Sequence, residues 1–246
     1  VKKILAVTLA ASSLLMGAEA IKNTFATHAE LGYINTQGNT DTESFAFTFN
    51  AKGNLEKHVL RFDANAQYSK DEGTETKNKW DAELNYDYEI TKRIAFNYLI
   101  GMKQDKFSTY DWQFYTGPGA LWHALKQESQ TLDFQGNILY SEDNVREDTA
   151  STPPVEGDID RYAAWRAGLD YKWKIYDNLK FIQLATFRSK FEDFENYFIT
   201  SKTAFESKIN GNLSMGMSYL VDYANNKSPD KEYADRTFMV SLIIDY

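Results

Sequence analysis

Three histidines, thirty-five carboxylates and no cysteine bound the chemistry this chain could perform. The missing cysteines exclude disulfides, thiol catalysis and thiolate metal sites. A hydrolytic centre would need a nucleophile with a base in reach. The only imidazoles are His28, His58 and His123, and their spacing matches no metal-ligand motif. No acidic calcium loop, phosphate-binding loop or dinucleotide fingerprint occurs. The sequence therefore assigns no catalytic, cofactor-binding or metal residue. The charged residues are the more informative set. Asp81, Glu83, Asp87 and Glu89 recur at even spacing, with Asp63 and Asp133 on neighbouring segments. Basic residues follow later in the chain: Arg166, Lys172, Lys174, Arg188, Lys190, Lys202 and Lys208. An even spacing puts such groups on one face of a strand, because strand side chains alternate with period two.

The segments that carry these charges alternate throughout. Over residues 80–90, Trp80, Ala82, Leu84, Tyr86, Tyr88 and Ile90 share one face, and Asp81, Glu83, Asn85, Asp87 and Glu89 share the other. A helix would scatter these residues around its circumference, whereas a strand sorts them. The same sorting predicts strands over 44–52, 58–69, 94–103, 131–141, 162–174, 213–223 and the final segment to Tyr246. A less regular alternation extends the prediction to 24–35, 112–123, 179–190 and 197–209. That makes about twelve strands in one domain. Their connections alternate in length. Gly53–Lys57, Thr91–Arg93, Ala124–Ser129, Tyr176–Asn178 and Asn210–Asn212 are short. Asp71–Lys77, Asp105–Asp111, Glu142–Asp160, Glu192–Asn196 and Ala224–Asp235 form a longer, acidic set, with Thr36–Thr42 its short member.

Short turns on one side and longer loops on the other are the pattern of outer-membrane barrels. The expected fold is all-β: a single closed antiparallel transmembrane β-barrel of about twelve strands, in up-and-down meander order. About eight strands leave an interior that side chains just fill, so twelve would enclose a lumen too wide for apolar side chains to close. The charged face is then the lining and the greasy face meets lipid. The expected lining is Asp63, Asp81, Glu83, Asp87, Asp133, Arg166, Lys172, Arg188, Lys202 and Lys208, an acidic wall facing a basic one. An even strand count puts both strand termini on the short-turn, periplasmic side. His28, His58 and His123 then fall toward that end, where they are expected to be solvated or part of an interfacial girdle.

Residues 1–20 read as a secretory signal peptide: Lys2 and Lys3, an apolar run, then Ala18-Glu19-Ala20 as a cleavage site. Residues 21–246 would be the barrel. A mean hydropathy of -0.53 suits strands that show lipid only every second residue. The net charge of -8 argues against nucleic acid as a partner. Phe238, Val240, Leu242, Ile244 and Tyr246 resemble the terminal-strand signal by which barrel-assembly machinery recognises its substrates. Outer-membrane lipid and lipopolysaccharide are the other expected partners of a monomer.

The segment Leu31–Thr42, with Gly38-Asn39-Thr40 at its turn, resembles the opening hairpin of the YdiY-like "putative salt-induced outer membrane proteins", domain of unknown function 481. Tyr115–Gly119 and the stretch from Arg161 to Tyr171, with Gly168 and Asp170, look similar as well. The resemblance implies a barrel in the cell outer membrane. That family carries no established activity, so no mechanism follows from it. The residues leave three functions open. The leading one is a passive pore for small hydrophilic solutes. Another is a non-conducting structural or salt- and envelope-stress barrel, its charges paired across the lumen. The third is a lipid-active enzyme, disfavoured because no nucleophile–base pair is placed for it.

Overall fold

The computed structural model describes residues 24–36, 42–147, 156–225 and 233–246. Residues 1–23, the Gly38-Asn39-Thr40 turn and Pro153-Pro154 lie outside them, and with them the signal-peptide reading. The chain forms twelve strands: β1 (Thr24–Thr36), β2 (Thr42–Leu55), β3 (His58–Asp71), β4 (Thr74–Glu89), β5 (Ile94–Asp105), β6 (Tyr110–Lys126), β7 (Gln130–Val145), β8 (Asp158–Tyr176), β9 (Leu179–Lys190), β10 (Tyr197–Asn210), β11 (Leu213–Ala224) and β12 (Ala234–Asp245). Each pairs antiparallel with its sequence neighbours, and β1 closes on β12. The closing register runs from His28↔Asp245 to Leu31↔Leu242, and backbone bonds between Thr27 and Tyr246 extend it toward the turns. Closure pairs strand backbones that lipid could not hydrogen-bond.

The alternation resolves into an apolar outside and a largely polar inside. On β4, Trp80, Leu84 and Tyr86 are 36–37% exposed, while Asn85 and Asp87 between and beside them are 3% and 1% exposed. Leu31, Leu60, Ile100, Ile138, Met217 and Val240 point outward in the same way. In water such a surface would aggregate; in a bilayer it is solvated. The chain is thus a membrane-spanning barrel, and its shortest strands, such as Leu179–Lys190, exceed the roughly 9–11 residues a tilted strand needs to cross. Aromatic rings gather in two belts. Toward the loops, Phe187, Tyr197, Tyr223 and Tyr233 stack in a row at 5.4, 5.7 and 6.2 Å between centroids. Toward the turns lie His58 between Tyr86 and Tyr88, and Trp122 against Phe134. Such girdles sit where amphipathic rings meet both hydrocarbon and headgroups.

Two expectations are corrected. Asp71–Lys77 is not a long loop. Only residues 72–73 lie between β3 and β4, Asp71 pairs with Thr74, and Glu72 (φ 47°) and Gly73 (φ 77°) make a tight hairpin, with a register shift at Ser69/Lys70 just inside it. Likewise β7 and β8 stay paired out to Val145↔Asp158, well inside the expected loop Glu142–Asp160. The cause is common to both. Past the lipid boundary a strand needs no apolar face, so its sequence turns polar while its ladder continues.

The interior also holds an apolar cluster that alternation did not assign. Leu99, Leu139, Tyr162 and Ala164 are buried together inside the barrel, packed by Tyr115. The motif Tyr115-Thr-Gly-Pro-Gly119 explains how. A Cβ on Gly117 would stand 2.0 Å from the Ile138 carbonyl oxygen, and one on Gly119 2.2 Å from that of Gly136. With no side chain at Gly117 or Gly119 of β6, β5 and β7 meet across it: Asn137 Nδ2 donates to Asn97 Oδ1 at 2.6 Å. Gly101 serves the same end, since its Cβ would fall 2.3 Å from the Tyr115 ring.

Candidate functional site

The rest of the interior encloses a cavity of about 970 Å³. Its lining reaches Glu128, Ser129, Asn212 and Tyr246 at the turn side and stops at Lys103, Gln113, Phe198, Thr200 and Asp222 toward the loops. Those last five residues also line a second, much smaller pocket of about 40 Å³ on their far side. With Lys79, which reaches Asp222 from β4, they form a ring of side chains between the two cavities.

The sequence-predicted lining residues are placed as follows. Asp63, Asp81, Glu83, Asp133, Arg166, Lys172, Arg188 and Lys202 line the cavity. Asp87 faces inward but is buried in the wall, where Arg61 Nε donates to it at 2.9 Å and Asn97 Nδ2 at 2.6 Å. Lys208 is a correction: it stands exposed near the short turns and takes no part in the lining, because β10 carries it past the cavity's edge. The expected division into an acidic and a basic wall is also corrected. Arg61, Lys79 and Lys103 stand on the acidic side, and Asp170, Glu206 and Asp222 on the basic side. Each wall carries both signs, so opposite charges meet locally.

Near the turns most pairs stay on one strand or between adjacent strands. Lys172 Nζ donates to Asp170 at 3.0 Å, two residues away, and Arg61 pairs with Asp87 between β3 and β4. Asn50 donates to Asp63 at 2.6 Å and Asn65 to Asp81 at 2.9 Å. Lys202 reaches Glu30 on β1 at 2.5 Å. At the ring the bonds span the lumen. Lys79 on β4 donates to Asp222 on β11 at 2.5 Å, and Lys103 on β5 stands 4.0 Å from the same carboxylate. Lys77 donates to Thr237 on β12 at 2.8 Å. Just below, Arg166 on β8 reaches Glu83 on β4 at 3.2 Å, and Tyr115 Oη donates to Glu83 at 2.6 Å.

Sequence reading passed over Glu30, Arg61, Lys79, Lys103 and Asp222. For two of them the signal is in the sequence, since they share the inward parity of a predicted lining residue on the same strand: Arg61 with Asp63 and Lys79 with Asp81; β1, β5 and β11, which carry Glu30, Lys103 and Asp222, hold no predicted lining residue. What the sequence does not hold is which strands face each other across the lumen.

The histidines also need correcting. His58 does belong to a girdle, with Tyr86 Oη 2.7 Å away. His28 and His123 do not. His123 lies between Asp133 at 2.7 Å and Glu89 at 3.1 Å. His28 lies between Asp245 at 2.7 Å and Glu30 at 3.1 Å, with Glu206 at 4.0 Å. Each imidazole thus turns both nitrogens to carboxylates, so neither offers a nitrogen to activate a serine. His28, Glu30 and Glu206 could converge on a cation, but the Lys202 ammonium already neutralises Glu30.

The barrel resembles solved structures in outline. The NanC porin is 13% identical, with 90% of this chain and 98% of that one covered and a TM-score of 0.48. An outer membrane channel from Pseudomonas putida F1, COG4313, is 10% identical, with 92% and 96% covered and a TM-score of 0.49. The KdgM porin is 5% identical, with 91% and 98% covered and a TM-score of 0.43. At such values the likeness says nothing of what a lumen admits. No curated protein matches the sequence. Residues 29–246, from the strand that closes the barrel to its partner at the other end, match the family described as "Protein of unknown function, DUF481", and the chain belongs to that family.

Proposed function

We propose that this protein is an outer-membrane barrel acting as a narrow pore for small hydrophilic solutes, with its conducting path held shut at the loop side by the ring around Asp222. The observation that carries this reading is the charged cavity of about 970 Å³, which runs from the turn-side mouth to that ring. Charged linings of this kind select solutes by sign and size. Delivery by a signal peptide over residues 1–20, handover to barrel-assembly machinery through Phe238, Val240, Leu242, Ile244 and Tyr246, and residence as a monomer among lipopolysaccharide complete the proposal. The outward exposure of Phe238, Val240, Leu242 and Ile244 supports the second of these. Planar-bilayer recording tests the pore. Discrete, salt-dependent openings are expected, and a membrane that stays silent across a range of salt would overturn it.

A specific observation favours a second reading, the non-conducting strut. The bonds Lys79–Asp222 and Arg166–Glu83 cross the lumen and brace the barrel. The two readings part on charge reversal of Asp81 and Glu83. A pore changes its ion preference, whereas a strut loses stability and stays silent.

A further inference from the structure

In the ring and beside it stand two donors that nothing among the described residues satisfies, Gln113 within the ring and Arg188 next to it on β9. Arg188 is 8% exposed, yet its Nη1 has no hydrogen-bond partner there. Gln113 is 5% exposed, and its Nε2 is likewise unpartnered. Buried donors of this kind are rare in folded proteins and ask for an explanation.

The surroundings show that these donors are held in place. The Arg188 guanidinium lies 4.7 Å from the ring centroids of both Tyr115 and Phe198. Those rings position the cation without using its N–H groups. Its ion-pair partner, Asp143, stands 3.9 Å from Nη2, too far for a hydrogen bond. Gln113 pairs in register with Lys103 on β5, and Lys103 in turn reaches Asp222 only at 4.0 Å. The other cations nearby are engaged more closely, Lys79 with Asp222 at 2.5 Å and Arg166 with Glu83 at 3.2 Å. Two loosely held cations and one free amide N–H group therefore stand around the loop-side end of the cavity. All three residues line it.

We propose that Arg188, Gln113 and Lys103 form an anion-binding subsite at the loop-side end of the lumen, which takes the carboxylate of a small hydrophilic organic acid. A carboxylate brings acceptors and no donor, matches the guanidinium fork, and supplies the charge that Asp143 delivers only at a distance. The assignment rests on the pore reading for its meaning, as the place where a solute pauses before the ring.

Calorimetric titration of the detergent-folded barrel tests it, with glucuronate as the probe, glucose as its uncharged counterpart and inorganic phosphate as a second oxyanion. Glucuronate binds saturably, glucose does not, and phosphate binds more weakly than glucuronate. Gln113→Met keeps the side-chain length and removes the donors. Arg188→Lys keeps the charge and removes the fork. Each weakens glucuronate binding by about tenfold or more, the weight of a charge-assisted hydrogen bond. Should Arg188→Lys fail to fold, Gln113→Met carries the test alone. Equal heats for glucose and glucuronate, tighter binding of phosphate, or glucuronate affinity that Gln113→Met leaves unchanged would overturn the assignment. A barrel that binds glucuronate yet stays silent in bilayers would sink the pore and keep the subsite. One that conducts but ignores glucuronate would do the reverse.

Discussion

The two ends of the lumen are built from the same residue types and reach opposite results. At the turn side, Lys172 and Asp170 sit two residues apart on β8, and Arg61 and Asp87 sit on adjacent strands. Such pairs lie along the wall and leave the axis open. At the ring, Lys79 and Asp222 belong to β4 and β11, and Lys103 and Asp222 to β5 and β11. In a twelve-strand closed order, β5 and β11 stand opposite each other, so a bond between them crosses the axis. Charge content alone therefore does not make a pore. What matters is whether a charged group finds its partner along its own wall or on the opposite one.

Removing the shared acceptor of the ring gives the largest expected change. Asp222→Asn leaves Lys79, which is 9% exposed, without its anion, and costs about 3 kcal/mol because an uncompensated charge remains in place. It also frees both lysines from the lumen's centre. Single-channel conductance rises several-fold over the wild type, and thermal unfolding followed by circular dichroism shows the lost stability. A variant that is destabilised but conducts no better would mark Asp222 as a brace alone.

The wall between the two ends can be attacked through Gly101. An alanine there puts its Cβ 2.3 Å from the Tyr115 ring, so the ring must move. Tyr115 then gives up its 2.6 Å bond to Glu83 and its place beside Arg188. Overpacking of this kind costs about 1–3 kcal/mol. A structure of Gly101→Ala would find Glu83 held by Arg166 alone, and a ring still in its wild-type position would refute the reading of Gly101 as the seat of Tyr115.

How much of this was legible in the sequence follows from the range over which each feature is decided. Strands are local, and period-two sorting, clearest at Trp80–Ile90 and repeated along the chain, together with the lengths of the connections, is enough to place their number, their order and which face is greasy. The lining followed from the same parity, which is why Asp81, Glu83 and Arg166 were found. The division of charge between walls was misjudged because parity says that Lys79 points inward but not that Asp222, far along the chain, awaits it. Registers of twelve ladders must be summed around the barrel before that pair meets. The apolar cluster of Leu99 and Leu139 was missed for a related reason. It depends on two glycines of an intervening strand, whose lack of side chains reads as weakness locally and becomes a contact only in three dimensions.

The smallest expected effect lies at the open mouth, and it completes the comparison. Lys172 is 56% exposed at its side chain and Asp170 31%, so water screens their pairing. Asp170→Asn should change stability by no more than about 0.5 kcal/mol, the weight of an exposed ion pair. Lys172 keeps its charge and gains freedom to swing within an already open vestibule. Conductance stays near the wild-type value, while the reversal potential in a salt gradient moves toward anion preference, since one negative charge has left the mouth. Measured beside Asp222→Asn in the same bilayers, this variant removes an equal charge from the same lumen. If both raised conductance alike, net charge rather than the geometry of pairing would control the path, and the distinction between wall-bound and axis-crossing pairs would fail.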